Sequence, residues 1–192
     1  MNPRIILLLL LFFVVGCRSE RKAETAEKVY FDLAGFVDQQ VAYLQENPVN
    51  ALKKVDMNGE HEEVNIINNK IEKSGELVNW EKELALFKEA DINKPVLRNS
   101  YEVIEKLEGL ATIYMAKEED LPVHSLSVFR ENQDEEVTEI SISYLEEKDL
   151  FLNTRELRME LENEKLRKLT INGFQKLPTI DSLIYYIQIE LK

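Results

Sequence analysis

From about Ser100 to the end of the chain, apolar side chains fall at every second position. The alternation runs through 110–116, 123–130, 135–145, 150–161, 166–171 and 183–191. A period of two sends alternate side chains to opposite faces, which a strand can exploit and a helix cannot. Between these runs lie short polar breaks: Lys117-Glu118-Glu119-Asp120, Glu131-Asn132-Gln133-Asp134, Glu146-Glu147-Lys148-Asp149 and Glu162-Asn163-Glu164. Strands joined by short turns, with no helical pattern between them, predict an antiparallel meander. In the last strand Leu183, Tyr185, Ile187, Ile189 and Leu191 share one face. Ile184 and Tyr186 suggest that the other face is covered too.

The first half reads differently. Tyr30, Leu33, Val37, Val41 and Leu44 step by three or four residues, the stripe of a helix laid on a core. Asn47-Pro48 should end it, because the residue before proline avoids helical geometry. Asn58-Gly59 is a strong hairpin signal, since both positions tolerate positive φ. Pairing outward from that turn places Ala51, Val55, Met57, Val64 and Ile66 on one face and Lys54 opposite Glu63 on the other. A second helix is predicted from a Ser74 cap, with Leu77, Trp80, Leu84 and Phe87 as its apolar face and 91–95 as its end. Together these elements predict one α+β domain over 26–192. Its first part, 26–99, is helical with one hairpin. Its second, 100–192, is a broad antiparallel β-meander that can curve into a half-barrel.

The amino terminus specifies an address. One basic side chain, Arg4, precedes Ile5 to Val15, which contains no polar residue. A basic start, a short apolar stretch and a small residue before a cut describe a secretory signal peptide over 1–16. The apolar run is too short to span a membrane, which takes about 20 residues. Val14-Val15-Gly16-Cys17 resembles the lipobox of bacterial lipoproteins, with valines where that class prefers leucine and then alanine or serine. The resemblance implies acylation of the Cys17 thiol, peptidase recognition of Val14, Val15 and Gly16, and cleavage before Cys17. The chemistry needs a thiolate nucleophile, and Cys17 is the sole cysteine. Residues 17–25 then read as a lipidated cysteine and flexible tether, and no intrachain disulfide can form. Two or more acyl chains give stable anchoring. Arg18 stands where an aspartate commonly retains such proteins at the inner membrane, so the class implies the outer membrane, facing periplasm or surface. The resemblance names processing and assigns the body to no family.

Charge and motifs narrow the chemistry. The chain carries 36 acidic and 24 basic side chains, and a net charge of −12 repels phosphate backbones, so no nucleic-acid partner is expected. His61 and Glu63 could converge on one ion, but two ligands make a poor zinc site, and both His61 and His124 read as ordinary strand residues. The acidic triplets lack the acidic ladder with a central glycine of a calcium loop and read as solvated turns. Arg155, Arg158, Lys165, Arg167 and Lys168 read as cross-strand partners on a wet face. The register that sets Met159 against Leu169 and Leu157 against Ile171 also sets Glu160 against Lys168. There is no glycine-flanked serine elbow and no phosphate loop; Asn172-Gly173 and Glu108-Gly109 read as turns. No catalytic residue, metal or cofactor is assigned, and an enzyme is not expected.

Two readings of the body follow. It is a binding module for an apolar ligand or lipid, with Trp80, Leu84 and Phe87 as the candidate ligand-facing residues, or it docks on another envelope protein. A helix followed by a long meander is similar in layout to periplasmic lipoprotein carriers and other half-barrel envelope proteins. A large cavity favours the first reading; a filled core with an exposed apolar patch favours the second.

Overall fold

A computed structural model describes residues 28–132, 136–178 and 180–192. The signal peptide, the lipobox, Cys17 and the tether lie outside these residues. The described chain runs α1 (Leu33–Glu46), β1 (Ala51–Met57), β2 (Glu60–Ile67), β3 (Lys70–Ile71), α2 (Trp80–Glu83), α3 (Ala85–Glu89), β4 (Tyr101–Lys106), β5 (Ala111–Ala116), β6 (Val123–Arg130), β7 (Val137–Lys148), β8 (Phe151–Glu162), β9 (Lys165–Leu177) and β10 (Ile180–Leu191).

All ten strands form one antiparallel sheet in the order β3-β2-β1-β10-β9-β8-β7-β6-β5-β4. The seven strands β4 to β10 are a meander, each beside its sequence neighbour. The early hairpin then joins the far side of the last strand: Ala51 faces Leu191, Val55 faces Ile187, and the Lys192 N–H donates to Asn50 O. The sheet is open, ending in β3 on one side and β4 on the other. It outweighs one helix of 14 residues and two of 4 and 5, so the chain is largely β rather than the expected α+β.

The long strands were readable because turn and pattern agree. At the β1–β2 turn Asn58 (φ 50°) and Gly59 (φ 88°) both take positive φ, and Lys54 faces Glu63 as expected. The β8–β9 register pairs Leu157 with Ile171, Met159 with Leu169 and Glu160 with Lys168, also as expected. Helix α1 buries Leu33, Val37, Val41 and Leu44, with Tyr30 just ahead of it, and stops before Asn47. Its N-cap is Asp32, whose carboxylate accepts from the Gly35 N–H at 3.0 Å.

Two expectations need correction, and one strand is not among the alternating runs. The second helix does not start at Ser74. The Ile71 N–H donates to Glu76 O, the Gly75 N–H to Ile71 O, and Lys70 bridges to Leu77, so this stretch is a turn that leaves Leu77 72% exposed. Helix begins only after Asn79, whose side chain accepts from the Lys82 N–H at 2.9 Å, and it breaks at Leu84 (φ −99°, ψ 3°) into α2 and α3. The outer face of β10 is not covered as expected, since Ile184 is 60% exposed. Finally, β4 lies inside the predicted meander over 100–192 but is not among its alternating runs. Its apolar residues Val103 and Ile104 are adjacent, so its alternation is interrupted where a reader would look for it.

One core joins the helices to the sheet. Leu33, Val37, Leu44, Trp80, Leu84 and Phe87 pack with Leu126, Ile140, Ile142, Leu157, Met159, Leu169 and Ile189. Two buried amides lock the layers. Gln40 of α1 donates to Glu164 O at 2.8 Å and accepts from the Leu166 N–H at 2.9 Å, clamping the β8–β9 turn. Asn69, at φ 61°, donates to Leu44 O and accepts from the Val49 N–H and the Trp80 indole N–H.

Candidate functional site: a cleft between helices and sheet

A cleft of about 830 Å³ opens where α1, α3 and the segment after α3 face β4, β6 and β7. The volume falls within the range of small-molecule sites. Its buried walls are Val37 and Val41 of α1, Tyr101 of β4 and Val123 of β6, with the partly buried Leu97 and Tyr144 beside them. These residues sit there for ordinary reasons. Val37 and Val41 belong to the apolar stripe of α1, and Tyr101, Val123 and Tyr144 are strand residues turned toward the helices. Ala85, a small side chain at the start of α3, leaves the space that a larger residue would fill.

Charged side chains edge this apolar lining. Asp38, Glu81, Glu89 and Asp91 contribute four carboxylates, and Lys88 and Lys94 two ammonium groups, a balance of −2. Lys88 Nζ donates to Asp38 across the two helices at 2.5 Å, and Lys94 Nζ donates to the Glu89 carbonyl at 3.1 Å. Both lysines are thus engaged with partners on the edge. Glu89 also lies 3.8 Å from Arg155, whose guanidinium stands 5.0 Å from the centre of the Tyr144 ring.

Tyr101 of the cleft wall belongs to a tyrosine cluster. Tyr30 packs edge-on against Tyr101 and Tyr114, with ring centres 5.6 and 5.7 Å apart. The Tyr30 hydroxyl accepts from the Tyr101 N–H and donates to Leu97 O. The Tyr101 hydroxyl is buried without a hydrogen-bond partner among the described residues, and Tyr101 is 3% exposed. Burial, with the neighbouring Tyr30 second, pushes its phenol up to about 12. Burial likewise raises Tyr114 and Tyr144.

The residues singled out in the sequence fall elsewhere. Trp80, Leu84 and Phe87 are 1%, 0% and 0% exposed, belong to the packed core, and do not line the cleft. His61 is an exposed strand residue whose Nδ1 lies 2.8 Å from Asp56, directly opposite in register. His124 sits at the β-bulge between Val123 and Ser125, its Nε2 buried without a partner among the described residues. Among the described residues no group of three or more His, Cys, Asp or Glu could hold a metal ion.

Most of the basic residues pair as expected. Arg158 bonds Glu139 at 2.6 Å, Lys168 lies 3.6 Å from Glu160 and Arg167 3.9 Å from Glu162. Arg155 is the correction: it shares the face of Leu157 and Met159 and points under α3 instead of to the wet side. Lys165 stands 4.9 Å from the centre of the Tyr43 ring of α1. The cleft residues escaped sequence reading because they come from six separated elements and the segments between them, and a void leaves no periodic signal. The only local hint was Ala85, a small residue in an otherwise bulky helical stretch.

No helix among the described residues is long and apolar enough to cross a membrane, which says nothing of strands. Comparison with protein families, curated proteins and solved structures gives no match.

Proposed function

We propose that the chain is a non-enzymatic envelope module, anchored by lipid on Cys17, that binds an apolar or amphiphilic ligand in the helix–sheet cleft. The single observation behind this reading is the cleft itself: about 830 Å³, walled by Val37, Val41, Leu97 and Val123 and edged by charge. Such a lining suits a ligand with an apolar body and one polar end. The lipobox resemblance supports a body held at a membrane, and helices packed on an open antiparallel sheet are compatible with a carrier layout.

Calorimetric titration with single-chain amphiphiles tests the reading. The wild type is expected to bind at least one class saturably. Ala85→Trp fills the space beside Val37 and Val41 and is expected to weaken that binding at least tenfold while the circular dichroism stays unchanged. Absence of saturable binding across anionic, cationic and uncharged amphiphiles, with the protein folded, removes the reading.

The second reading is an interaction protein docking on another envelope protein. It is favoured by β4, the last strand of the sheet, where Val103 is 50% exposed and Leu107, just beyond, 66%. If that edge is the working surface, Val103→Lys abolishes co-purification of a partner while ligand binding is unaffected.

A further inference from the structure

We infer that the β4 edge of the sheet docks a second copy of this chain, whose own β4 pairs with it antiparallel about a two-fold axis at Ile104. The inference goes beyond the cleft reading, and either can fail without the other.

The first observation is an open backbone edge. At one end of the sheet β3 is only two residues long, and its Lys70 already bridges to Leu77. At the other end β4 has six residues and no strand beyond it among the described residues. The register fixes which backbone groups point outward. The Lys117 N–H donates to Ser100 O, so Ser100 faces β5, and by the alternation of an antiparallel ladder so do Glu102, Ile104 and Lys106. Tyr101, Val103 and Glu105 turn their backbone groups away from the sheet. The Tyr101 N–H shows this parity, for it donates to the Tyr30 hydroxyl at 3.2 Å and not to β5. The N–H and C=O groups of Val103 and Glu105 are thus presented to an incoming strand, and an extended backbone is what matches their spacing. Val103 is 50% exposed, and Leu107 just beyond it 66%.

The second observation is charge, and it selects the occupant. Glu102 and Lys106 share one face of β4, on either side of Ile104. Both are exposed, and neither has an ion-pair partner among the described residues. Pairing centred on Ile104 sets Glu102 against Lys106 of the second copy, and Lys106 against its Glu102. Ile104 then meets Ile104. The same register sets Val103 opposite Glu105 of the second copy, and those are the residues whose backbone groups point outward. The two strands exchange N–H···O bonds there, and the two-fold axis repeats the exchange. Neighbouring registers lose this match. Centring on Val103 sets Glu102 against Ile104, and centring on Glu105 sets that carboxylate against its own copy. Charges on an edge strand ordinarily keep copies apart. Here the two signs are spaced so that copies attract.

The test is sedimentation equilibrium on the full chain in a nonionic detergent. The wild type should pass from monomer to dimer as concentration rises and go no further, because pairing uses up the β4 edge. Glu102→Lys sets lysine against lysine twice and should weaken the dimer about tenfold, with an unchanged melting temperature. Adding Lys106→Glu reverses both signs and should bring the dimer back to within about threefold of wild type. Disulfide trapping reads the register. In a Cys17→Ser background, which leaves one thiol per chain, Ile104→Cys should link two copies under mild oxidation, because the axis places residue 104 opposite itself in a non-hydrogen-bonded pair. Glu102→Cys, whose counterpart is Lys106, should not link. A wild type that stays monomeric overturns the inference. So does a double variant that associates no better than Glu102→Lys, or Glu102→Cys linking as readily as Ile104→Cys. Ile104→Cys linking to a different protein in cells also overturns it, and gives the edge to the second reading above.

Discussion

At the residue scale, a few polar side chains carry more than their share of the fold. Asn69 links the end of α1, the start of β1 and the Trp80 indole while holding φ at 61°. Alanine would lose those bonds and strain the left-handed backbone. Asn69→Ala is therefore expected to cost about 3 kcal/mol, read by urea unfolding. Gln40→Leu fits the same space but leaves the buried Leu166 N–H and the Glu164 carbonyl without their partner, at about 1–3 kcal/mol. Tyr101 makes a pH prediction. Its folded phenol is raised to about 12 from the ordinary 10, so the folded state holds its proton more tightly than the unfolded chain. That contribution is complete below pH 10 and is lost as pH rises toward 12. Unfolding midpoints should fall over that window, and less steeply in Tyr101→Phe, because Tyr114 and Tyr144 are raised in the same direction and remain. The carboxyl of Asp32 works at the other end of the scale. Burial draws it up, but hydrogen bonds from Lys28 and the Gly35 N–H outweigh that and hold it below the usual carboxylate range. Its contribution to the α1 cap is present above the unfolded value and fades as pH drops through the folded one.

At the element scale, the β8–β9 turn carries a removable strain. Asn163 (φ 50°) and Glu164 (φ 58°) both sit in left-handed backbone without a glycine. Glu164→Gly turns the pair into Asn-Gly, the preferred sequence for such a hairpin, and keeps the carbonyl that Gln40 grips. It should stabilise the protein by about 0.5–1 kcal/mol, seen as a higher melting temperature. The same elements show what could be read from sequence. Where a turn signal and an alternating pattern agree, as at Asn58-Gly59 or between Met159 and Leu169, even the register was legible. Where local signals conflict, they misled. Leu77, Trp80, Leu84 and Phe87 fit one helical stripe, yet the turn closed by Gly75 takes Leu77 out of it and Leu84 ends α2. The burial of Trp80, Leu84 and Phe87 was predictable; whether they face a ligand was not, because an apolar stripe looks the same against a core and against a cavity.

At the scale of the whole molecule, the pairing of β1 with β10 ties the two ends of the described chain into one sheet. No sequence pattern specifies that partnership, since either edge of the meander could have received the hairpin. Its consequence is that, among the described residues, a single core runs from Tyr30 to Leu191. A chain starting at Ser19 is therefore expected to be soluble and cooperatively folded, with a circular dichroism spectrum dominated by strand. On the proposed lipobox reading, acylation of Cys17 is expected to add only location. Metabolic labelling with a fatty-acid analogue should mark the wild type and not Cys17→Ser, and the unlabelled variant should leave the membrane fraction while keeping the wild-type melting temperature. Those two readouts separate anchor from fold, because acyl chains act on membrane affinity and the core acts on unfolding. Equal labelling of both proteins would remove the lipobox reading. A large drop in melting temperature on losing Cys17 would show instead that the amino-terminal segment packs on the body. The proposed cleft makes that result informative, since an acyl chain on Cys17 could then be competing with free amphiphile, and dodecanol would bind more tightly to Cys17→Ser than to the lipidated protein.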